Sequence, residues 1–398
     1  MLPNLTTELN QLESSGLHRH LREMSGAHEP TVTLNGKDVL LFCSNNYLGL
    51  ANDPRVKQAA IDGITEHGVS VPASRLISGH TSPHKALEAR LSAFLGTETS
   101  LVFPTGYAAN LGVIPAIASE GDVIFSDALN HRSLIDACRL SRAKTVVYSH
   151  LDTGDLATKL HAFPEATRRL IVTDGVFSMD GDLAPLDQLA DLARTHAATL
   201  MVDDAHGTGI FGTQGRGTPE LFSVESDVDI WMTSASKGLG TFGGAISGKR
   251  ALIDTLINRS PSFIYTTALP PHVCSATSAA LDVVEQEPER RRHLLKLAGH
   301  LRSALTEAGY DICESQSHII PVRIGDPQQT LDVADFLIDR GIFVLGIRPP
   351  TVPEGMSRLR ISLMASHTDD HVEHLLGALV EARSEFNLSR PNPCPPPS

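Results

Sequence analysis

The residue types able to do chemistry are concentrated between positions 198 and 244. An apolar, β-favouring run, Leu200, Met201 and Val202, breaks abruptly into Asp203, Asp204, Ala205, His206 and Gly207. Acid and imidazole are poor core material. At the carboxyl edge of a parallel sheet, where α/β folds bind ligands, they are well presented. A second apolar run at 230–232 breaks into TSASKGLG (233–240), which sets Lys237 among hydroxyls and glycines. Lysine normally carries its ammonium into water on a long stem. Just after a buried strand and between small residues, it is a candidate for a desolvated amine of lowered pKa, the kind used in Schiff-base chemistry. A surface loop would use the same residues equally well.

Together these pieces match the needs of pyridoxal phosphate (PLP). That cofactor takes a lysine on its aldehyde and a carboxylate on its protonated pyridine nitrogen. Its phosphate takes hydroxyls and backbone N–H groups. Lys237, Asp203, and Ser234 with Gly238 supply these. A rival reading lies in the same stretch: GTGIFG (207–212) follows a strand and fits the dinucleotide pattern G-x-G-x-x-G. Asp203, Asp204 and His206 stand where a pyrophosphate would be repelled, however, and Gly215 and Gly217 follow too soon for a packed helix.

Elements must position these groups. Short apolar strands at 100–103, 123–125, 145–148, 170–173, 200–202 and 230–232 alternate with helical patterns, including one at 185–196 opened by Pro185. That alternation predicts an α/β fold with a mostly parallel central sheet. Ahead of it, residues 1–25 carry Leu5, Leu9, Leu12 and Leu17 on one helical face, and runs at 31–34 and 39–42 flank Asn35-Gly36 as a β-hairpin. Helical patterns follow at 54–67 and 83–94. After Pro270-Pro271 come helices, strands at 319–324, 342–345 and 359–363, and a last helix at 369–386. The expected layout is an N-terminal helix and hairpin segment (1–50), a large domain (51–275), a small α+β domain (276–386) and a disordered proline-rich tail (387–398).

The bulk numbers narrow the function. A net charge of −13 argues against nucleic acid or an anionic membrane as partner. Five scattered cysteines without a C-x-x-C pair point to a reducing, cytoplasmic setting. No apolar leader or spanning run is present, and the 18 histidines show no metal-ligand spacing, so neither membrane nor metal is expected.

In combination the motifs resemble the α-oxoamine synthases, a PLP-dependent fold-type I family that joins an amino acid to an acyl thioester and loses CO2. The motifs are SNNYLGL (44–50), SRLISGHTSPHKALE (74–88), FPTGYAAN (103–110), DALNHRSLIDACRLSRA (127–143), TDGVFSMDGD (173–182), VDDAHGTG (202–209), SASKGLG (234–240), FIYTTALPP (263–271) and IRPPTVPEGMSRLR (347–360), in the family's order. CRLSRA, FIYTTALPP and IRPPTVP look most like the branch that condenses L-alanine with a pimeloyl thioester in biotin synthesis.

The resemblance implies roles. Lys237 would hold the cofactor and move the Cα proton. Asp203 would pair with the ring nitrogen, His206 and Ser178 would bond the phenolic oxygen, and His131 would stack on the ring. Gly106, Tyr107 and Ser234 would hold the phosphate, with Thr266 reaching it from the other subunit of a homodimer. Asn46 and Arg360 would bind the amino-acid carboxylate; Arg348 would also bind substrate, and Arg19 would lie on the acyl side. Ser74 stands where the glycine-using branch carries Thr, which leaves room for alanine's methyl. Judged singly, His131 reads as a loop histidine, Ser178 as a turn serine, Ser74 as a turn cap and Arg360 as a surface arginine on an edge strand.

The chain also departs from the family pattern. Ser234 replaces the usual Thr and leaves Thr233 as a rival donor. Asp204 replaces the usual Glu, SVPA (70–73) replaces a glycine-rich approach, and His18, Arg19, His20 and Arg22 replace a purely arginine cluster. A sister synthase using glycine or serine, an ordinary fold-type I aminotransferase and a dinucleotide-binding dehydrogenase are the other readings.

Overall fold

The computed structural model describes residues 4–388. The tail expected to be disordered lies outside the described residues except for Asn387 and Leu388. Strands follow along the chain as β1 (Met24–Ser25), β2 (Thr31–Leu34), β3 (Lys37–Leu41), β4 (Thr99–Phe103), β5 (Val123–Asp127), β6 (Lys144–Tyr148), β7 (Arg169–Asp174), β8 (Thr199–Asp203), β9 (Ile230–Ser234), β10 (Gly244–Gly248), β11 (Ile319–Gly325), β12 (Ile342–Phe343), β13 (Leu345–Ile347) and β14 (Ser357–Ser362).

Two compact units result. The larger is built from residues 45–178 and 182–292; the smaller takes the described residues before 45, residues 179–181 and those after 292. The boundary expected at 275–276 falls inside helix Pro271–Gln286 of the larger unit. Pro270-Pro271 starts a helix and does not divide the chain. That helix buries Ala276, Thr277, Ala280, Leu281, Val283 and Val284. It lies so close to helix Pro54–His67 that a Cβ on Gly63 would stand 2.8 Å from the His272 backbone. The N-terminal segment is not separate either. Its β3 pairs in parallel with β12, Ile342 opposite Leu40 and Phe343 opposite Leu41, within the smaller unit.

The larger unit is organised by one seven-stranded sheet of order β4-β10-β9-β8-β7-β5-β6. Every neighbour pair from β9 to β6 is parallel; only β10 runs antiparallel, between β4 and β9. Apart from the edge strand β6, the strands are almost wholly buried, as a sheet covered by helices requires. Phe103, Ile124, Val172, Met201, Met232 and Ile246 sit in its core. The register brings several strand ends level: Asp174 lies opposite Asp203, and Gly244 lies opposite both Phe103 and Ser234.

The smaller unit holds two sheets, β1-β2-β3-β12 and β11-β14-β13. Asn35 and Gly36, at φ 49° and 82°, make the two-residue turn between β2 and β3, a conformation for which Asn-Gly is favoured. The helix expected over 1–25 is confined to Leu5–Ser14, and Gly16 at φ 66° follows its end. Leu5, Leu9 and Leu12 stay 40–49% exposed, so they add little packing among the described residues to prolong it. The expected strand at 342–345 divides in two: Ile342–Phe343 joins β3, and Leu345–Ile347 joins β14.

Candidate active site

Asp203 closes β8 and is buried, so its charge needs donors. Its Oδ2 accepts from Asn110 Nδ2 at 2.7 Å and its Oδ1 from the Ala205 amide at 3.0 Å. Asn110 comes from helix Gly106–Ile117 and donates also to Ser133 Oγ at 2.9 Å. Beside Asp203 lies Asp174, where burial first and the Asp203 charge second push the carboxyl well above the usual range. The Asp174 carboxyl accepts the His131 amide at 2.6 Å, which fixes that residue at the head of helix Arg132–Leu140. His131 Nδ1 meets Ser133 Oγ at 2.7 Å. The ring stays accessible while protein atoms crowd it, as in a recess. This burial lowers its pKa; the Lys237 charge acts with it and the Asp203 charge against it.

Lys237 follows β9 on a turn closed by its own carbonyl, which accepts the Gly240 amide at 2.9 Å. Gly238 allows this turn to press on the loop after β8, since a Cβ there would stand 2.6 Å from the Thr208 carbonyl oxygen. Lys237 Nζ is thereby set 2.9 Å from His206 Nε2. His206 Nδ1 lies 2.6 Å from the Tyr47 hydroxyl, which donates to Asn45 Oδ1 at 2.9 Å. With the Tyr47 proton given to Asn45, its oxygen can accept from a His206 Nδ1–H, and in that tautomer Nε2 can accept from the lysine ammonium. The four residues form one line along which Lys237 can shed a proton. Asn45 and Tyr47 were given no role from the sequence, although both lie in the SNNYLGL motif (44–50). Asn46 beside them is buried and accepts the Ala51 amide at 3.1 Å.

A second feature of the same sheet edge is a backbone cradle. Gly106 opens its helix, and the Thr105 side chain accepts the Ala108 amide at 3.0 Å. The Gly106 and Tyr107 N–H groups are in the first turn, where a helix offers them no carbonyl. Cβ atoms at Gly106 and Gly244 would fall 2.5 Å from Met232 Cε and 2.6 Å from the Gly106 backbone. Ser234 Oγ would lie 3.7 Å from that Gly106 Cβ, so its hydroxyl borders the cradle. Tyr107 takes part through its backbone, because its hydroxyl donates outward to Asp136 at 2.6 Å. Thr233, the rival donor, lies on the other face of the sheet among Leu87, Leu91 and Leu239.

These groups fit PLP. An amine beside an imidazole, a buried two-donor carboxylate, and a helix N-terminus with a hydroxyl stand along one sheet edge. Ser178 is half-buried beyond β7, on a hairpin where Val176 pairs with Leu183. Thr266 is half-buried in the loop before helix Pro271–Gln286, a loop held to residue 73 by the Ala268 amide at 3.0 Å. Ser74 is half-buried, and its side chain does not cap the turn it begins. The adjacent Arg75 is buried on Glu88 at 2.8 Å.

The glycine-rich loop does not bind a dinucleotide. Gly175, Gly207 and Gly217 surround the Asp204 carboxylate, which would lie within 2.7 Å of a Cβ at any of them. Asp204 accepts Thr218 Oγ1 at 2.6 Å and Thr208 Oγ1 at 3.1 Å, and burial raises its pKa to about 7. The following helix, Thr218–Leu221, is a single turn.

The expected acyl and carboxylate arginines belong to the smaller unit. Arg360 is buried on β14, the central strand of its sheet, which corrects the edge-strand reading; its guanidinium donates to Ser362 Oγ at 2.8 Å. Arg348 donates to the carbonyls of Gly16 and His18, and Arg19 to the Pro349 carbonyl at 3.4 Å. Both line a cavity of about 610 Å³ whose apolar wall includes Leu331 and Phe343. Burial and the neighbouring Arg19 and Arg22 charges lower the Arg348 pKa, the mark of a cationic recess. No helix among the described residues is long and apolar enough to cross a membrane.

Comparison with known proteins agrees with this geometry. Residues 37–379 match the family aminotransferase class I and II. An 8-amino-7-oxononanoate synthase of Geobacter sulfurreducens is 47% identical over 98% of this chain and all of its own length. One from Lysinibacillus sphaericus is 44% identical over 96% of this chain and 98% of its own. Among solved structures, Sphingomonas wittichii serine palmitoyltransferase superposes with a TM-score of 0.92 at 35% identity, covering 96% of this chain and 97% of its own. A further serine palmitoyltransferase structure with the same TM-score, at 32% identity and with 97% and 98% coverage, holds PLP. The chain belongs to the 8-amino-7-oxononanoate synthases, PLP-dependent acyltransferases of the fold-type I class.

Proposed function

We propose that the site condenses L-alanine with a pimeloyl thioester, releasing CO2 and the free thiol and giving 8-amino-7-oxononanoate for biotin synthesis. The observation that carries this reading is the line Lys237–His206–Tyr47–Asn45 beside the doubly held Asp203, in a chain whose curated relatives share that name. Bound PLP supplies an electron sink for the carbanion at the amino acid's Cα.

The chain's own residues do the rest. Lys237 anchors the cofactor and then takes the Cα proton, with His206 receiving protons from Nζ. Asp203 keeps the ring nitrogen charged. His206 and Ser178 hold the phenolic oxygen. His131, whose pKa burial lowers, would lie against the ring and polarise the acyl oxygen. Gly106, Tyr107 and Ser234 hold the phosphate. The new C–C bond forms as the C–S bond breaks, and the thiolate leaves with a proton. Asn46 and Arg360 take the alanine carboxylate that departs as CO2, and Lys237 returns a proton to the Cα left behind. Arg19 and Arg348, lining a cationic recess with an apolar wall, take the distal carboxylate of the acyl chain.

Shared sites in a homodimer complete the reading. Thr266 would reach the partner's phosphate from a loop whose Tyr265 is 84% exposed. A cytoplasmic setting fits Cys43, Cys138, Cys274 and Cys313 as free thiols. The sister reading, serine with a longer acyl thioester, is favoured by the serine palmitoyltransferase superposition alone. Purified protein given PLP, L-alanine and pimeloyl-CoA should yield 8-amino-7-oxononanoate by mass. Turnover with serine or glycine in preference to alanine would replace this reading by a sister one. Product formed from a keto acid without thioester would replace it by an aminotransferase.

A further inference from the structure

One cluster of buried charge in the larger unit has no part in the chemistry above. His150 follows β6. Its Nδ1 lies 2.8 Å from Asp127 Oδ1 and its Nε2 lies 2.8 Å from Asp182 Oδ2. The three side chains are only 11%, 1% and 7% exposed. Two carboxylates can both be served only if both ring nitrogens carry hydrogen. Burial opposes that charge, but the bonds to Asp127 and Asp182 outweigh it and push the imidazole up to about 10.

Each carboxylate belongs to a segment that aims a group at the cofactor. Asp127 ends β5 and also accepts the Leu129 amide at 2.8 Å and the Leu151 amide at 3.0 Å. It thus shapes the four-residue turn into His131. Asp182 closes the hairpin that bears Ser178, its carbonyl accepting the Phe177 amide at 3.1 Å. The Phe177 ring stands edge-on to the imidazole at 4.4 Å.

We propose that His150 is a positioning residue: a doubly donating imidazolium strut that ties the His131 turn to the Ser178 hairpin and sets the spacing of these two groups about the cofactor. The proposal rests on the PLP reading above. Without the strut, the two buried carboxylates would lose the positive charge they share, and their repulsion would loosen the link between the two segments.

The test uses the full-length protein in three forms. In the wild type without cofactor, 15N NMR should show both His150 nitrogens protonated at pH 7 and up to about pH 9; a neutral ring at pH 7 would overturn the proposal. Asp182→Asn keeps the size of the side chain and the His150–Asp127 pair. With PLP added, it should raise the cofactor's dissociation constant about tenfold and shift its visible absorption maximum, and lower kcat more than it raises KM for alanine. His150→Phe should do the same more strongly while keeping the ring against Phe177. A folded Asp182→Asn with wild-type PLP affinity, spectrum and kcat but a lowered Tm would show a merely structural strut and overturn the proposal. Failure of the wild type itself to bind PLP would instead remove the cofactor reading, and the NMR result would still decide the charge of the strut.

Discussion

Asp203 and Asp204 are adjacent, both carboxylates, and both buried, yet they serve two regions built on different terms. Asp203 looks along the sheet edge, held by one side-chain amide and one backbone amide. Around it stand groups with chemistry to do: Asn110, Asp174, His131 and, one strand over, the turn of Lys237. Asp204 looks the other way into a loop of glycines. Two threonine hydroxyls and the Thr218 amide occupy it, and glycines at 175, 207 and 217 exist so that backbone can close on it. Burial does not separate a working carboxylate from a structural one; the company each keeps does. Ser74 and Arg75 repeat the lesson. Arg75 is absorbed by Glu88, His80 and the Val102 carbonyl, whereas the Ser74 side chain leaves its own turn uncapped.

The sharpest way to break the comparison is to neutralise each acid in turn. Asp203→Asn should lower kcat by at least about 10³-fold, because on the proposed reading the charge that would face the ring nitrogen is preorganised and dry. Asp204→Asn should leave kcat of the folded protein within about threefold. Steady-state rates with PLP confirmed bound decide it, and equal losses in the two variants would erase the distinction. Next in size is Ser74→Thr. One methyl in a tight pocket is worth about 1–3 kcal/mol, so the ratio of kcat/KM for alanine over glycine should fall by about 10–200-fold. An unchanged ratio would return Ser74 to the ranks of turn residues beside Arg75.

The smallest effect concerns Asp204 alone and is read in stability. Its pKa rises from 3.8 to about 7 on folding. Between these values the native protein holds a proton that the unfolded chain has released, so Asp204 makes stability fall as pH climbs from about 4 to 7. Denaturant unfolding of wild type and Asp204→Asn across that range should show the wild-type slope steeper in the downward sense. Parallel slopes would mean that Asp204 is ionised in the fold.

Much of this architecture was legible because apolar runs of the right length ended in residues a core would not tolerate. Strand ends at Asp203 and Ser234, the alternation that made the sheet parallel, and the Asn35-Gly36 turn all follow local rules. What local rules missed was set by partners distant in sequence. Asn110 matters only because its helix returns beside β8, 93 residues before Asp203. Tyr47 stands 159 residues from His206. β10, a GAISG stretch with glycine at both ends, has no strand signature; it is a strand because β4 and β9 both pair with it, and its end glycines leave room for the Gly106 backbone and the Asp229 carbonyl. The boundary near residue 275 misled for a similar reason, since two prolines mark a helix start as readily as a division of the chain. Arg360 reads as a surface residue until β11 and β13 flank its strand.

The account stands on one amine. Protein reconstituted with PLP, reduced with borohydride, digested and mapped by mass spectrometry should carry the pyridoxyl group on the peptide containing Lys237, with the absorbance of the bound cofactor lost on reduction and absent from Lys237→Ala. Stoichiometric label on any other lysine, or none at all, would contradict it.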